Sequence, residues 1–230
     1  MKISVLIPFK SDQGGDRDSN LRYVLNRYHT LLPEVEVVLG CDQNELFNKA
    51  KAVNRAAQKA TGDIYIIADA DVFFGTRLID KIVAIANRYP WIIPFKRCYR
   101  LTQFGSREVT KNGKIELPKQ LHFVEVQYIM NNIGALMNVV SRLAFEKIGG
   151  MDERFFGYGE EDESFARALD TLVGKHYRMP ETIFHLWHPW AEFNHPNRNM
   201  NLELSKRYIK AEGNPAAMKQ LVDERRHPAC

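Results

Sequence analysis

Ile64-Tyr65-Ile66-Ile67-Ala68-Asp69-Ala70-Asp71 carries an uninterrupted apolar run straight into two carboxylates. A short run with no polar alternation reads as a strand buried on both faces, the kind found in parallel sheets. Upstream, Ile3-Ser4-Val5-Leu6-Ile7-Pro8 is a second such run, closed by proline. A polar loop, Lys10 to Asp16, leads to Leu21, Val24, Leu25, Tyr28, Leu31 and Leu32 at helical spacing, with Asp16 or Asp18 available as cap. Val35 to Leu39 is another strand, stopped by Gly40, and Asn44 is placed to cap a second helix running to Ala60. Downstream, Leu78, Ile79, Ile82, Ile85 and Ala86 mark a third helix, and Trp91 to Phe95 a fourth strand. This alternation predicts an α/β fold: an open, mostly parallel sheet with helices on both faces.

Beyond residue 96 the rhythm changes. Arg97 to Lys119 is polar, with a turn signal at Asn112-Gly113, and reads as a long loop or hairpin excursion. Strands are expected at Leu121–Val126, Ile133–Val139 and Lys175–Arg178, and helices at Arg142–Lys147 and Glu161–Leu172. A His-, Trp-, Asn- and Pro-rich stretch, His185 to Asn201, precedes a polar helix. The chain therefore reads as one domain in two halves, 1–96 and 97–230, sharing one continuous sheet.

With 230 residues, 45% hydrophobic and 26% charged, the chain is of single-domain size and not disordered. A net charge of +4, scattered along the chain, does not mark a nucleic-acid binder. No apolar run reaches the roughly 18 residues of a membrane span. Cys41, Cys98 and Cys230 are far apart, without a CxxC pair, so a reducing, cytoplasmic setting is expected.

Four segments carry chemistry. Asp69 and Asp71 fall at a strand's C-terminal end, the edge where open parallel sheets bind ligands, and two carboxylates there suit a divalent cation bridging to phosphate. Turn carboxylates or helix caps are the plainer alternative. Lys49, Lys51 and Arg55 crowd the start of the second helix, where cations answer a diphosphate or simply face solvent. Asp42, just past the second strand, is placed to accept from a base or ribose, or is an ordinary loop acid. In Phe156-Gly157-Tyr158-Gly159-Glu160-Glu161-Asp162-Glu163, four adjacent acids exceed what helix capping requires. One of them beside Phe156 and Tyr158 suits a general base, and the aromatics suit a sugar ring. His185 and His188 have metal-ligand spacing.

Together these segments resemble a nucleotide-sugar glycosyltransferase of the GT-A fold, family 2-like with a galactosyltransferase-type Glu-Asp motif. The resemblance rests on Val5-Leu6-Ile7-Pro8, on Lys51-Ala52-Val53-Asn54 through Gly62-Asp63-Ile64, and on Asp69-Ala70-Asp71. Its last part is Phe145-Glu146-Lys147-Ile148-Gly149-Gly150-Met151-Asp152-Glu153 leading to Gly157-Tyr158-Gly159-Glu160-Glu161-Asp162. It implies inverting, metal-dependent transfer from a UDP-sugar to an acceptor hydroxyl. Asp162 would be the catalytic base, with Glu161 and Tyr158 on the acceptor side. Asp42, Lys51, Asp69 and Asp71 would contact the donor. Mn²⁺ or Mg²⁺ would be held by Asp71, His188 and His185. Two positions depart from the pattern: Tyr158 stands where it has Trp, and Glu160 where it has Gly. With no membrane anchor or disulfides, a soluble bacterial or viral version is implied. The other readings are a sugar-nucleotide nucleotidyltransferase, which the acid-rich Lys10–Arg17 loop fits poorly, and a non-catalytic sugar-nucleotide binder. Transfer to a nucleic acid is not favoured by the charge.

Overall fold

The apolar run at the N-terminus forms β1 (Ile3–Phe9), where Val5, Leu6 and Ile7 are fully buried. Burying each such side chain contributes about 1.5–3 kcal/mol. The computed structural model describes residues 1–42, 44–111, 123–128, 133–190 and 194–225. β2 (Glu36–Cys41) and β3 (Ile64–Ala68) flank β1 in parallel. β8 (Met137–Ser141) runs antiparallel to β3. β5 (Trp91–Ile93) runs antiparallel to β8 and parallel to β9 (Tyr177–Arg178), giving the order β2-β1-β3-β8-β5-β9. Helices α1 (Asp16–Leu31), α2 (Lys49–Lys59), α3 (Arg77–Ile85), α5 (Arg142–Lys147) and α6 (Glu161–Leu172) flank this sheet. The α/β fold expected from the sequence is the fold observed.

Four further strands make a second sheet in the order β4-β10-β6-β7: β4 (Val72–Phe74), β10 (Thr182–His185), β6 (Arg97–Leu101) and β7 (Phe123–Tyr128). The expected single continuous sheet is therefore corrected to two. The break falls at Asp69–Asp71, where the chain turns, Val72 N–H donating to the Asp69 carbonyl at 3.1 Å. The expected loop after Arg97 instead forms β6 and α4 (Gln103–Lys111), while Asn112-Gly113 lies outside the described residues. β8 starts later than expected, at Met137, because Gly134 and Leu136 take left-handed backbone, φ 95° and 67°.

Helix starts also differ in detail. Asn48, not Asn44, caps α2, its Oδ1 accepting from Lys51 N–H at 2.8 Å. Asn44 spends its side chain on Asp42. At α1 the N-cap is Gly15, not Asp16 or Asp18, and the carboxylate that accepts from the first-turn N–H groups of Arg17 and Asp18 belongs to Asp12.

The C-terminal helices α7 (Arg198–Ala211) and α8 (Pro215–Asp223) pack against each other and on α6. Buried Asp152 ties them to the loop before α6, pairing with Arg154 at 2.8 Å and accepting from Tyr208 Oη at 2.8 Å. Removing one partner from such a buried network costs about 3–5 kcal/mol. Cys41 and Cys98 are free. Among the described residues no helix is long and apolar enough to cross a membrane.

Candidate active site

β4 is only three residues long, yet it carries Asp71 to the second sheet. Val72 pairs with His185 in antiparallel register, and Leu186 N–H donates to the Asp71 carbonyl at 2.8 Å. Asp71 thus meets two imidazoles from a segment more than a hundred residues away. His185 Nε2 lies 3.4 Å from Asp71 Oδ1 and His188 Nε2 3.1 Å from Oδ2. One donor atom from each of the three residues fits within a 4.8 Å sphere of mutual distances. Asp71 and His185 are buried, and Asp71 Oδ1 has no hydrogen-bond partner. An orphaned buried carboxylate oxygen is costly unless something positive reaches it.

The electrostatics agree. Burial alone would raise the Asp71 pKa, but His185, His188 and Arg17 hold it well below the carboxylate range. Burial lowers His185 despite Asp71, whereas the Asp71 hydrogen bond outweighs burial at His188 and raises it.

Asp69 takes a different partner. Lys49, the first residue of α2, buries its ammonium 2.8 Å from Asp69 Oδ1 and 2.8 Å from Asp162 Oδ2. Asp162 and Glu161 open α6, and Glu161 Oε2 is buried without a partner. One cation cannot compensate three clustered acids. Burial first, then the Glu161 and Asp69 charges, push Asp162 up to about 8 against the pull of Lys49. Burial likewise raises Glu161. Lys49 is held well above the usual range by Asp162 and Asp69, despite its burial. A carboxyl group poised near neutrality within reach of a cleft is the electrostatic profile of a general base.

Both groups line one cleft of about 670 Å³. Its floor is the end of β1, Pro8 to Lys10, and the Asp69–Asp71 turn; its walls include Arg17, Phe47, Arg100 and Leu136. Tyr158 and Trp190 stand on the rim, 44% and 70% exposed, Trp190 beneath the Arg100 guanidinium at 5.0 Å. The backbone closes tightly behind the acids: a Cβ on Gly134 would collide with the Asp162 carbonyl oxygen.

The structure gathers Asp69, Asp71, Tyr158, Glu161, Asp162, His185 and His188 around this cleft. Asp42 and Lys51 are not brought to it. Asp42 is buried below the wall, where it accepts from Asn44 Nδ2 at 2.9 Å and Asn48 N–H at 3.1 Å, so it shapes the Glu45–Phe47 loop. Lys51, two positions along α2, is rotated about 200° from Lys49 and points elsewhere. Sequence reasoning missed Arg17, Trp190 and His195 as cleft residues. Lys49 was marked as one of three cations at the start of α2 that could face a diphosphate, but not as the partner of Asp69 and Asp162.

The fold is of GT-A architecture, as in the solved glycosyltransferase structures it resembles. The model of glycosyl transferase family 2 matches residues 16–148, and the chain belongs to that family. A second model, the N-terminal domain of galactosyltransferase, matches residues 116–189. The structure is similar to the catalytic domain of Drosophila β1,4-galactosyltransferase 7 in complex with xylobiose: TM-score 0.55, 17% identity, covering 90% of this chain and 80% of that one. It is similar to S. aureus TarS 1-349 in complex with UDP-GlcNAc, with TM-score 0.58, 12% identity and coverage of 97% and 71%. M. tuberculosis glucosyl-3-phosphoglycerate synthase, in complex with Mn²⁺, UDP-glucose and phosphoglyceric acid, aligns with TM-score 0.51, 12% identity and coverage of 96% and 80%. A search of curated protein sequences found no match.

Proposed function

We propose that this protein is a metal-dependent, inverting glycosyltransferase that moves a sugar from a UDP-sugar to a carbohydrate hydroxyl. The carrying observation is the Asp71–His185–His188 cluster, with its orphaned Asp71 oxygen, in the same cleft as Asp162. The structurally similar proteins crystallised with UDP-sugars and Mn²⁺ support the choice of donor and metal.

The residues fit a metal. One carboxylate and two imidazoles form a mixed oxygen–nitrogen set, which suits Mn²⁺ better than Mg²⁺, a cation that prefers oxygen ligands. Asp71, His185 and His188 would hold it, and when bound it supplies positive charge to the departing diphosphate.

The chain's own residues do the rest. Asp162 accepts the proton of an acceptor hydroxyl as that oxygen attacks the anomeric carbon from the face opposite the diphosphate, which inverts the configuration. Lys49 holds Asp162 in place and keeps it partly ionised. Asp69, fixed by the same ammonium, lines the donor side with Lys10 and Arg17, whose charges face a diphosphate. Glu161 offers its unpartnered oxygen to an acceptor hydroxyl, and Tyr158 its exposed ring. Residues 1–96 serve mainly the donor, and 97–230 supply the base, the two histidines and the acceptor side.

The test is UDP release from a panel of UDP-sugars, with Mn²⁺, with Mg²⁺ and with chelator. Turnover that requires Mn²⁺ and vanishes in Asp71→Ala supports the reading. Full turnover of Asp71→Ala in chelator contradicts it.

A further inference from the structure

Glu160 is the residue immediately before α6, and its backbone is left-handed, φ 78° and ψ −18°. Gly157 and Gly159 on its N-terminal side are left-handed too, φ 75° and 106°. Three such residues within four positions reverse the chain from the cleft rim into the helix that presents Glu161 and Asp162. Glycine takes this conformation freely, whereas a side chain with a Cβ is strained in it. Strain of this kind persists only where surrounding contacts over-determine the backbone.

Those contacts come from α7. Arg198, at its first turn, donates from Nη1 to Glu160 Oε1 at 2.9 Å. Ser205 Oγ donates to Glu160 Oε2 at 3.1 Å, so both carboxylate oxygens are engaged. The Glu160 carbonyl meanwhile accepts from Ser164 N–H at 3.1 Å and starts the helix. One turn further along α7, Asn201 brackets the same loop, donating to the carbonyls of Phe156 and Gly159 and accepting from Phe156 N–H. Glu160 itself is absent from the cleft lining, although its neighbours Tyr158, Glu161 and Asp162 are in it.

We propose that Glu160 is a positioning residue. Tethered by Arg198 and Ser205, it holds the left-handed turn that aims Asp162, so α7 governs the alignment of the base without touching substrate. The inference rests on Asp162 being the base. It assigns a role to the acid run that electrostatics at the helix start leaves unexplained, and to a polar helix outside the cleft.

The consequence is an inverted order of substitutions. Glu160→Ala keeps the strained backbone and removes both tethers; Glu160→Gly removes the tethers and the strain together. Glycine is the more flexible replacement, yet here it should be the better one. We expect kcat for Glu160→Gly to exceed that for Glu160→Ala at least fivefold, with KM for the UDP-sugar nearly equal in the two. Arg198→Met should lower kcat about tenfold when residue 160 is Glu, and by a clearly smaller factor in the Glu160→Gly background. The readout is UDP release from whichever of UDP-galactose, UDP-glucose and UDP-GlcNAc turns over, with Asp162→Asn measured alongside. If Asp162→Asn is inactive and the Ala and Gly variants have equal kcat, or Arg198→Met costs the same factor in both backgrounds, the inference fails alone. If Asp162→Asn keeps the wild-type rate, the base assignment fails and the inference falls with it.

Discussion

The Lys49 ammonium stands 2.8 Å from Asp162 Oδ2, linking the first residue of α2 to the second residue of α6. The same nitrogen holds Asp69, so one cation joins the strand-end acid to Asp162, the proposed base. Replacing Lys49 by Met removes the one charge that opposes the rise of Asp162. The acid limb of the kcat/KM profile should then move up by at least about one pH unit, the usual scale for losing an opposite charge at this distance. A profile superimposable on wild type would show that Lys49 does not tune the base.

With Asp162 as the proposed base, the same limb of the wild-type profile should report its ionisation. Its pKa is pushed up to about 8 from an ordinary 3.8, and a base must be ionised to act. Activity should therefore climb with pH through neutrality, and not be flat from pH 5 upward as an unperturbed carboxylate would make it. A pH–rate profile at saturating Mn²⁺ measures this.

Stability should move in the opposite sense. A folded-state pKa above the unfolded one means that the folded chain binds more protons between pH 3.8 and about 8, so Asp162 costs stability increasingly as pH rises through that window. Asp162→Asn cannot ionise. Its Tm relative to wild type should rise from pH 4 to pH 8, with about 2–4 °C for each kcal/mol in a chain of this size. Thermal melts at the two pH values decide it: a constant Tm difference would mean that Asp162 ionises as freely in the fold as outside it.

Metal affinity should depend on both histidines and on pH. His188→Ala should raise the Mn²⁺ dissociation constant about tenfold or more, the scale on which metal sites lose affinity when a supporting or ligating group is lost. Because His188 is raised above the usual imidazole range by Asp71 and must be neutral to bind metal, wild-type affinity should be weaker at pH 6 than at pH 8. Titration calorimetry with Mn²⁺ at pH 6 and pH 8 measures both effects. An unchanged isotherm in His188→Ala would remove that residue from the metal set.

The backbone behind the base offers a steric test. Gly134 has φ 95°, and its missing Cβ leaves room for the Asp162 carbonyl. Gly134→Ala should destabilise the fold by about 1–3 kcal/mol, the cost of overpacking, and lower kcat with it. A variant that melts and turns over like wild type would mean that the two segments separate easily.

How much of this was legible follows from the range of each signal. α5 and α6 have the bounds read from the sequence, because such signals, at α6 the first-turn acids, are local. β1 and β3 were equally plain as apolar runs, whereas β2 does not stop at Gly40 as expected but pairs with β1 through Gly40 to Cys41. β4 was not, since three residues cannot show a period, and with it went the second sheet. Asn44 and Asn48 are the same residue type, and only the Asp42 hydrogen bonds decide which one caps α2. The Asp-x-Asp and His-x-x-His spacings marked Asp71, His185 and His188 separately, but their meeting depends on the β4–β10 register, a contact between distant segments. Lys49 and Lys51 are indistinguishable by composition, and helix geometry alone sends only the first into the cleft.

The most direct measurement of the central claim is single-turnover kinetics of Asp162→Asn beside its Mn²⁺ and UDP-sugar binding isotherms. The variant keeps shape and hydrogen bonding but cannot take a proton, so the rate should fall about 10²- to 10⁴-fold. Mn²⁺ and donor affinities should stay within about threefold, because the metal cluster at Asp71 shares no ligand with Asp162. A wild-type rate, or a lost donor affinity with an unchanged rate per bound donor, would contradict the account.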